Sequence, residues 1–390
     1  VRLTKTVIVL LCAVAIPGGR DIATQQPGTR SAALTFGIPS STYGRTDQPA
    51  YESTQLVAVV AGAAEKLVAE LERARDLTGQ WGDQSLTEAL VDAAVARCLE
   101  TLARTGCSGE ANRTPSGELW RIAGRLLEAG SLQAHARFKP RGYAGDHQLL
   151  QRIWVEDCCG HPLGCAFDRY FQRQAAPQAV RSRTREIASA LVADCLRRQR
   201  GGYRVVSVGS GPACDLRAAV SLLPEPRRRE LNVVLLDMDP EALDFARQQL
   251  EPLLPAGALT CRRENLARLP ARPDVTEMLA GADFLVCSGL FDYLNDETAA
   301  AMLRLFWGQL AEGGLLLVGN FAPHNPTRAY MEWIGNWYLI YRTAEQLARL
   351  ASVAGIAESH FRVASEPLGV DLFLVGRRPK ACEAGNRDAP

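Results

Sequence analysis

Net charge is nearly absent from this chain: 44 Lys and Arg stand against 43 Asp and Glu, a formal +1. So balanced a surface gives no electrostatic case for nucleic acid or an anionic membrane as a partner. The apolar run Val7 to Ile16 is too short to span a bilayer as a helix, and no stable membrane association is expected. Among 11 cysteines there is no Cys-x-x-Cys pair, and most are scattered singly. Zinc-finger spacing is thereby excluded, and thiols of this kind suit a reducing compartment. The crowded set Cys158, Cys159, His161 and Cys165 is the one candidate metal cluster, and its ligands are not paired at zinc-binding intervals, so no metal is expected.

What is present is organised around Val205 to Asp215, which reads as a buried strand, a glycine turn and an acid. Val205, Val206 and Val208 are β-branched and favour a packed strand. Gly209 and Gly211 remove side chains where the backbone must turn sharply and approach a ligand. An apolar stretch, Leu216 to Leu223, then suits a helix whose N-terminus faces that ligand. A dinucleotide turn would carry a third glycine, but Cys214 stands there and Asp215 follows. A carboxylate at that place repels a pyrophosphate and suits an ammonium group. The pattern resembles the first motif of class I S-adenosylmethionine-dependent methyltransferases.

Upstream, Val1-Arg2-Leu3-Thr4-Lys5 and the apolar run copy the head of a secretory signal. The scattered thiols speak against export and for a cytoplasmic protein, and the initial Val suggests an extended or misplaced start; residues 1–50 read as a flexible lead-in or a misassigned start, with a real signal still open. A helical domain is expected over 51–137, from the apolar face of Leu56, Val60, Ala63, Leu67 and Leu71, and from a helix start at Ser85, Leu86, Thr87 and Glu88. Residues 138–200 read as a loop and helices forming a lid. The loop Phe138 to Asp146 crowds charged, aromatic and glycine residues, and the helix over 167–199 carries Arg181, Arg183 and Arg185 on what reads as a solvated face.

From 201 to 378 strands and helices alternate, with a tail over 379–390. Strands are expected at Leu231–Leu236, Leu259–Arg263, Ala282–Cys287, Leu315–Gly319, Arg362–Ala364 and Val370–Gly376. Alternation of this sort implies an α/β fold with a mostly parallel, Rossmann-like sheet. Gly209, Asp237, Asn265, Ser288 and Asn320 fall after successive strands, where such sheets bind ligands.

Taken together, residues 138–378 resemble the bacterial methyltransferase family of extracellular factor 3-hydroxypalmitic acid methyl ester biosynthesis. The matching pieces are Lys139 to Asp146, Gly209 to Pro212, Gly289 to Leu294, and Gly319 to Pro326 continuing through Tyr330-Met331-Glu332-Trp333 to Tyr341-Arg342. The resemblance implies a class I methyltransferase sheet with an N-terminal helical extension and S-adenosylmethionine as cofactor. On that basis Gly209, Ser210 and Gly211 would meet the cofactor's amino-acid part, with Asp215 near its ammonium. Asp237 would hold the ribose and Met238 the adenine. Asn265 and Leu266 would flank the base, and Ser288 and Gly289 would border the methyl donor. Tyr330, Trp333, Trp337, Tyr338 and Tyr341 would wall an acceptor pocket, or pack as ordinary core, with Tyr293 and Asn320 also toward the acceptor.

A carboxylate acceptor, ionised at neutral pH, needs no general base, and the expected product is a methyl ester. An arginine would orient it, Arg141 or Arg328, while His324 and Asp292 are the candidate bases or donors and Tyr143 belongs to the lid. Two other classes stay open: an enzyme using the bound cofactor electrostatically for a rearrangement or elimination, and a non-catalytic cofactor-binding protein. Oligomeric state is not legible.

Overall fold

The computed structural model describes residues 53–198 and 201–380. The apolar run, the lead-in and the tail beyond residue 380 lie outside the described residues. Seven helices come first: α1 (Ser53–Trp81), α2 (Gln84–Ala103), α3 (Arg113–Leu127), α4 (Ser131–Phe138), α5 (His147–Trp154), α6 (Pro162–Gln172) and α7 (Ala175–Arg197). Strands and helices then alternate through β1 (Tyr203–Val208), α8 (Cys214–Leu222), α9 (Glu225–Arg228), β2 (Leu231–Asp237) and α10 (Pro240–Leu250). The chain continues through β3 (Leu259–Arg263), α11 (Pro273–Thr276), β4 (Ala282–Cys287), α12 (Asp296–Gln309) and β5 (Leu310–Phe321). It closes with α13 (Arg328–Trp333), α14 (Ala344–Val353), β6 (Phe361–Ser365) and β7 (Asp371–Arg377).

The sheet has seven strands in the order β3-β2-β1-β4-β5-β7-β6. Strands β1 to β5 pair in parallel, and β7 runs antiparallel to both β5 and β6. This is the expected Rossmann-like sheet, with the helical region N-terminal to it. Alternate residues of each strand feed opposite cores. Val206, Val208, Val234 and Leu236 pack toward α12 and α14, whereas Val205, Val233 and Leu235 pack toward α7, α8 and α10. Burial on both faces explains why these strands read as continuous Val and Leu runs.

Two boundaries differ from expectation, and the helix expected over 167–199 is two helices, α6 and α7, parted at Arg173-Gln174. Asp83, not Ser85, caps α2: its Oδ1 accepts the N–H groups of Ser85 at 2.9 Å and Leu86 at 3.1 Å, supplying the acceptor that a helix start lacks. Strand β5 begins at Leu310, so the Gly313-Gly314 pair lies inside it rather than before it. A Cβ on Gly314 would come within 2.7 Å of the Ala282 carbonyl oxygen, and the β4–β5 register shifts between Ala282 and Phe284.

A third core joins the N-terminal helices to the chain that follows β5. Leu67, Leu119, Leu132 and Phe167 share it with Phe321, Tyr330, Trp333 and Trp337. Polar ties reinforce this core: Trp120 Nε1 donates to the Ile334 carbonyl at 2.9 Å, Tyr330 Oη to Gln133 Oε1 at 2.5 Å, and the Gly109 N–H to Glu332 Oε2 at 2.7 Å. Among the described residues no helix is long and apolar enough to cross a membrane.

Candidate functional site

At the carboxyl ends of β1, β2 and β4 lies a cavity of about 330 Å³. Its floor is the turn after β1. Gly209 (φ +67°) and Gly211 (φ +50°) adopt the left-handed region, and Ala213 (φ +49°) follows at the cap of α8. A side chain at either glycine would be strained in that conformation. The Gly209 N–H donates to the Leu236 carbonyl at 2.8 Å, which ties the turn to β2. Ser210 Oγ lines the cavity and is buried without a hydrogen-bond partner in the protein.

Asp237, the last residue of β2, accepts the Gly211 N–H on Oδ2 at 2.8 Å and the Asp239 N–H on Oδ1 at 2.9 Å. These bonds aim its carboxylate into the cavity, while burial raises its pKa. Asp215, in the first turn of α8, is likewise buried, and burial raises it too. Met238, 54% exposed, and the buried Leu266 add apolar side chains to the cavity lining. Ser288, Gly289 and Leu290 enter from the end of β4.

The opposite wall is mostly apolar, with Leu150, Trp154, Val180, Ile187, Phe321 and Leu339. Two groups break its apolar character. Asp292 is buried and accepts the Phe321 N–H at 2.8 Å and Asn320 Nδ2 at 3.0 Å, both on Oδ1. Burial first, then the charge of Asp371, lifts its pKa to about 8, so it carries a proton at neutral pH. Arg183, on α7, is buried and donates from Nη1 to the Ser288 carbonyl at 2.9 Å and to Asp371 Oδ2 at 2.8 Å. Its second amino nitrogen faces Gly289, lying 3.7 Å from where a Cβ there would be.

The loop after α4 covers the rim. Lys139 (φ +50°) ends α4 and Asp146 opens α5, accepting the Gln148 and Leu149 N–H groups at 3.0 Å each. Between them Gly145 (φ +69°) lies where a Cβ would fall 2.8 Å from the Trp337 ring and 3.1 Å from Tyr293 Oη. Tyr293 Oη donates to the Ala144 carbonyl at 3.2 Å and accepts from Trp337 Nε1 at 2.8 Å. Tyr143, at the cavity edge, donates to Asp239 at 3.3 Å.

The cavity thus gathers Tyr143, Gly209, Ser210, Gly211, Asp215, Asp237, Met238, Leu266, Ser288, Gly289, Asp292 and Tyr293. Other expected residues fall elsewhere. Arg141 turns from the cavity to Asp239 and Glu241, because those carboxylates cap the start of α10 beside it. Asn265 is exposed after β3. Asn320 sits behind Asp292, bound also by Arg342 Nη1 at 2.7 Å. His324 is exposed beside Gly369, away from the cavity. Arg328 pairs with Glu332 at 2.7 Å and lies over the Tyr341 ring, and neither Arg328 nor Tyr341 lines the cavity. Tyr330 and Trp333 are buried in the helical core, Tyr330 stacked on Phe171, and Tyr338 lies under Arg113. Of the aromatic set, Trp337 is the member that lines the cavity.

Arg183 was not singled out by sequence reasoning. Its signal was its place in an apolar stripe, one turn from Val180 and one from Ile187, both buried. Arg181 is also buried, donating to Gln172, whereas Arg185 alone of the three is exposed, over the Trp154 ring. In the cysteine cluster, Cys158 Sγ and Cys165 Sγ lie 3.0 Å apart, Cys159 Sγ turns to the Ala129 carbonyl at 3.6 Å, and His161 Nδ1 accepts the Gly164 N–H at 3.2 Å. Among the described residues no group of three or more His, Cys, Asp or Glu could hold a metal ion.

No protein-family model and no curated protein sequence matches the chain. Solved structures do. A possible exported protein of Bordetella parapertussis is similar over 85% of this chain and all of its own, at 19% identity and a TM-score of 0.53. An O-methyltransferase family protein of Burkholderia thailandensis is similar at 16% identity and a TM-score of 0.40, over 85% of this chain and 96% of its own. The S-adenosylmethionine-dependent methyltransferase SibL is similar at 18% identity and a TM-score of 0.40, over 84% of this chain and all of its own. At such identity the first likeness speaks to the fold alone, and the other two superpose too loosely to add to it. None of them bears on the finer resemblance to the 3-hydroxypalmitic acid methyl ester family.

Proposed function

We propose that this chain is an S-adenosylmethionine-dependent methyltransferase that converts the carboxylate of a small, largely apolar acid or acyl metabolite into a methyl ester. The observation that carries the reading is one cavity lined by two kinds of groups. One is a glycine turn that a side chain would strain, the unpartnered Ser210 hydroxyl, two buried aspartates and the apolar Met238 and Leu266. That set fits the cofactor: Asp215 would face its ammonium, Asp237 its ribose hydroxyls, and Met238 with Leu266 its adenine. When bound, the cofactor supplies an electrophilic methyl group on a sulfonium.

The protein's own part, through the other groups, is positioning. A carboxylate nucleophile is already ionised, so no base is required. Arg183, the one Arg or Lys lining the cavity among the described residues, would receive it in place of Arg141 or Arg328. Asp292, holding a proton, adds no negative charge against the incoming acid and offers a hydrogen bond to it. Apolar walls around these groups exclude water, and holding the nucleophile in line is the main source of rate in such a transfer. Residues 138–200 act in this reading as a lid over the sheet domain of 201–378. A cytoplasmic location, where the cofactor is made, goes with it.

The test incubates the protein with methyl-labelled cofactor and panels of hydroxy-acyl, aromatic and dicarboxylic acids, then treats the products with mild alkali. Label released by alkali supports an ester. Label that survives, as an ether or N-methyl group, overturns the carboxylate assignment; an acid consumed while the cofactor stays intact points to electrostatic use of the cofactor.

A further inference from the structure

Methyl transfer leaves Cys158, Cys159 and Cys165 without a role. They lie where the segment after α5 turns into α6. Cys158 is half-buried and Cys165 buried, with their Sγ atoms 3.0 Å apart. A disulfide bond is about 2.05 Å long, so closure takes a movement of about one ångström. Cys159 is turned away, toward the Ala129 carbonyl, and packs so closely on Gly164 that a Cβ there would lie 2.5 Å from its sulfur. The geometry therefore selects one pair out of three thiols.

Cys158 also opens onto a second recess, of about 370 Å³, which shares no lining residue with the cofactor cavity. Its walls include Arg169, Arg173 and Arg181 against the single carboxylate of Glu156. Glu88 and Asp92 pair with Arg169 and Arg173 from outside the recess. Arg181 is held by Gln172, with Glu156 3.6 Å from its Nε. Arg169 acts electrostatically on both Cys158 and Cys165.

We infer that Cys158 and Cys165 form a thiol–disulfide exchange site whose arginine-walled recess admits an anionic, low-molecular-weight disulfide. The Cys158 thiol loses its proton to solvent and attacks one sulfur of the reagent. The reagent's S–S bond breaks, one reagent thiolate leaves, and a mixed disulfide forms on Cys158. Cys165 then loses its proton to solvent and attacks the Cys158 sulfur, displacing the second reagent thiolate. Two protein thiols are oxidised to one disulfide as one reagent disulfide is reduced to two thiols. Burial, then its contact with Cys158, lifts the Cys165 pKa to about 12, which suits the resolving rather than the attacking role.

The full chain is incubated with glutathione disulfide, or with the neutral hydroxyethyl disulfide, and mapped by peptide mass spectrometry without reduction. The wild-type chain is expected to gain a Cys158–Cys165 bond that dithiothreitol reverses. Cys165→Ser should trap one glutathionyl group on Cys158, and Cys158→Ser should block both products. Replacing Arg169 and Arg173 by Gln should slow the reaction with glutathione disulfide about tenfold and leave the neutral reagent unaffected. A bond at Cys159, Cys158 and Cys165 both still open to alkylation in the wild type, or equal slowing of both reagents by the Arg replacements would overturn the assignment.

Discussion

Arg141 and Asp239, 98 residues apart in the chain, are joined by two hydrogen bonds, Nε to Oδ2 at 3.0 Å and Nη2 to Oδ1 at 2.6 Å. Tyr143 and His147 converge on the same carboxylate at 3.3 Å each. Burial alone would raise Asp239, but the Arg141 hydrogen bonds, the Glu241 N–H and the charge of Arg141 together outweigh it and hold the carboxyl below the usual range. Since the Asp239 N–H is bound to Asp237, the covering loop is fastened to the loop that holds this cavity-lining acid.

Arg141→Ala is accordingly expected to weaken cofactor binding, rather than acceptor binding, by about tenfold, as a charged hydrogen bond contributes about 1.5–3 kcal/mol. Tyr143→Phe, which keeps the Arg141 bonds, should change it far less. Calorimetric titration of both variants with S-adenosylmethionine checks the order; an unchanged affinity in folded Arg141→Ala would detach the loop from the site.

Asp237→Ala should lower cofactor affinity by about tenfold to a hundredfold through lost bonds to ribose. The same substitution frees the Gly211 and Asp239 N–H groups, so circular dichroism must first show a folded protein. Calorimetry returning the wild-type affinity would remove Asp237 from the site.

Strand positions were legible because two-sided burial forces Val and Leu runs and a glycine turn marks where the ligand end lies. The path of the chain after β5 was not. Tyr330, Trp333, Arg328 and His324 follow a strand that ends at the cavity, yet their directions depend on the N-terminal helices against which that segment packs. Only long-range bonds such as Trp120 to Ile334 fix them, and these leave no local pattern in sequence. Arg183 was obscured for a related reason: beside Arg181 and Arg185 it reads as surface, and only the burial of Val180 and Ile187 places it inside.

Arg183→Met tests which carboxylate the guanidinium serves. For an acid acceptor the KM should rise at least tenfold while cofactor affinity holds within about threefold. The reverse split would assign Arg183 to the cofactor's own carboxylate. Removing Arg183 also strands Asp371, a loss of about 3–5 kcal/mol, so Asp371→Asn in the same chain should restore part of the stability.

Stability should fall as pH rises through neutrality. The Asp292 pKa of about 8 in the folded protein stands above its ordinary 3.8, so the native state keeps a proton that the unfolded chain has released. This contribution is full below about pH 4 and is lost on the way to about pH 8; Asp371, lifted by burial to about 6, adds the same sign over a narrower window. Thermal unfolding across this range should slope downward in wild type and more gently in Asp292→Asn. Parallel slopes would place the titration elsewhere.

The hydrogen bonds from α3, α4 and the turn before α3 to residues 330–334 end three residues before Trp337, which lines the cavity. The helical region therefore works as a jig for the cavity wall at Trp337, while the glycine turn and Asp237 are framed by the sheet itself. In the proposed reaction, selectivity for the acceptor would then drift through substitutions in α3 and α4, far from the glycine turn, with the hold on the cofactor left intact.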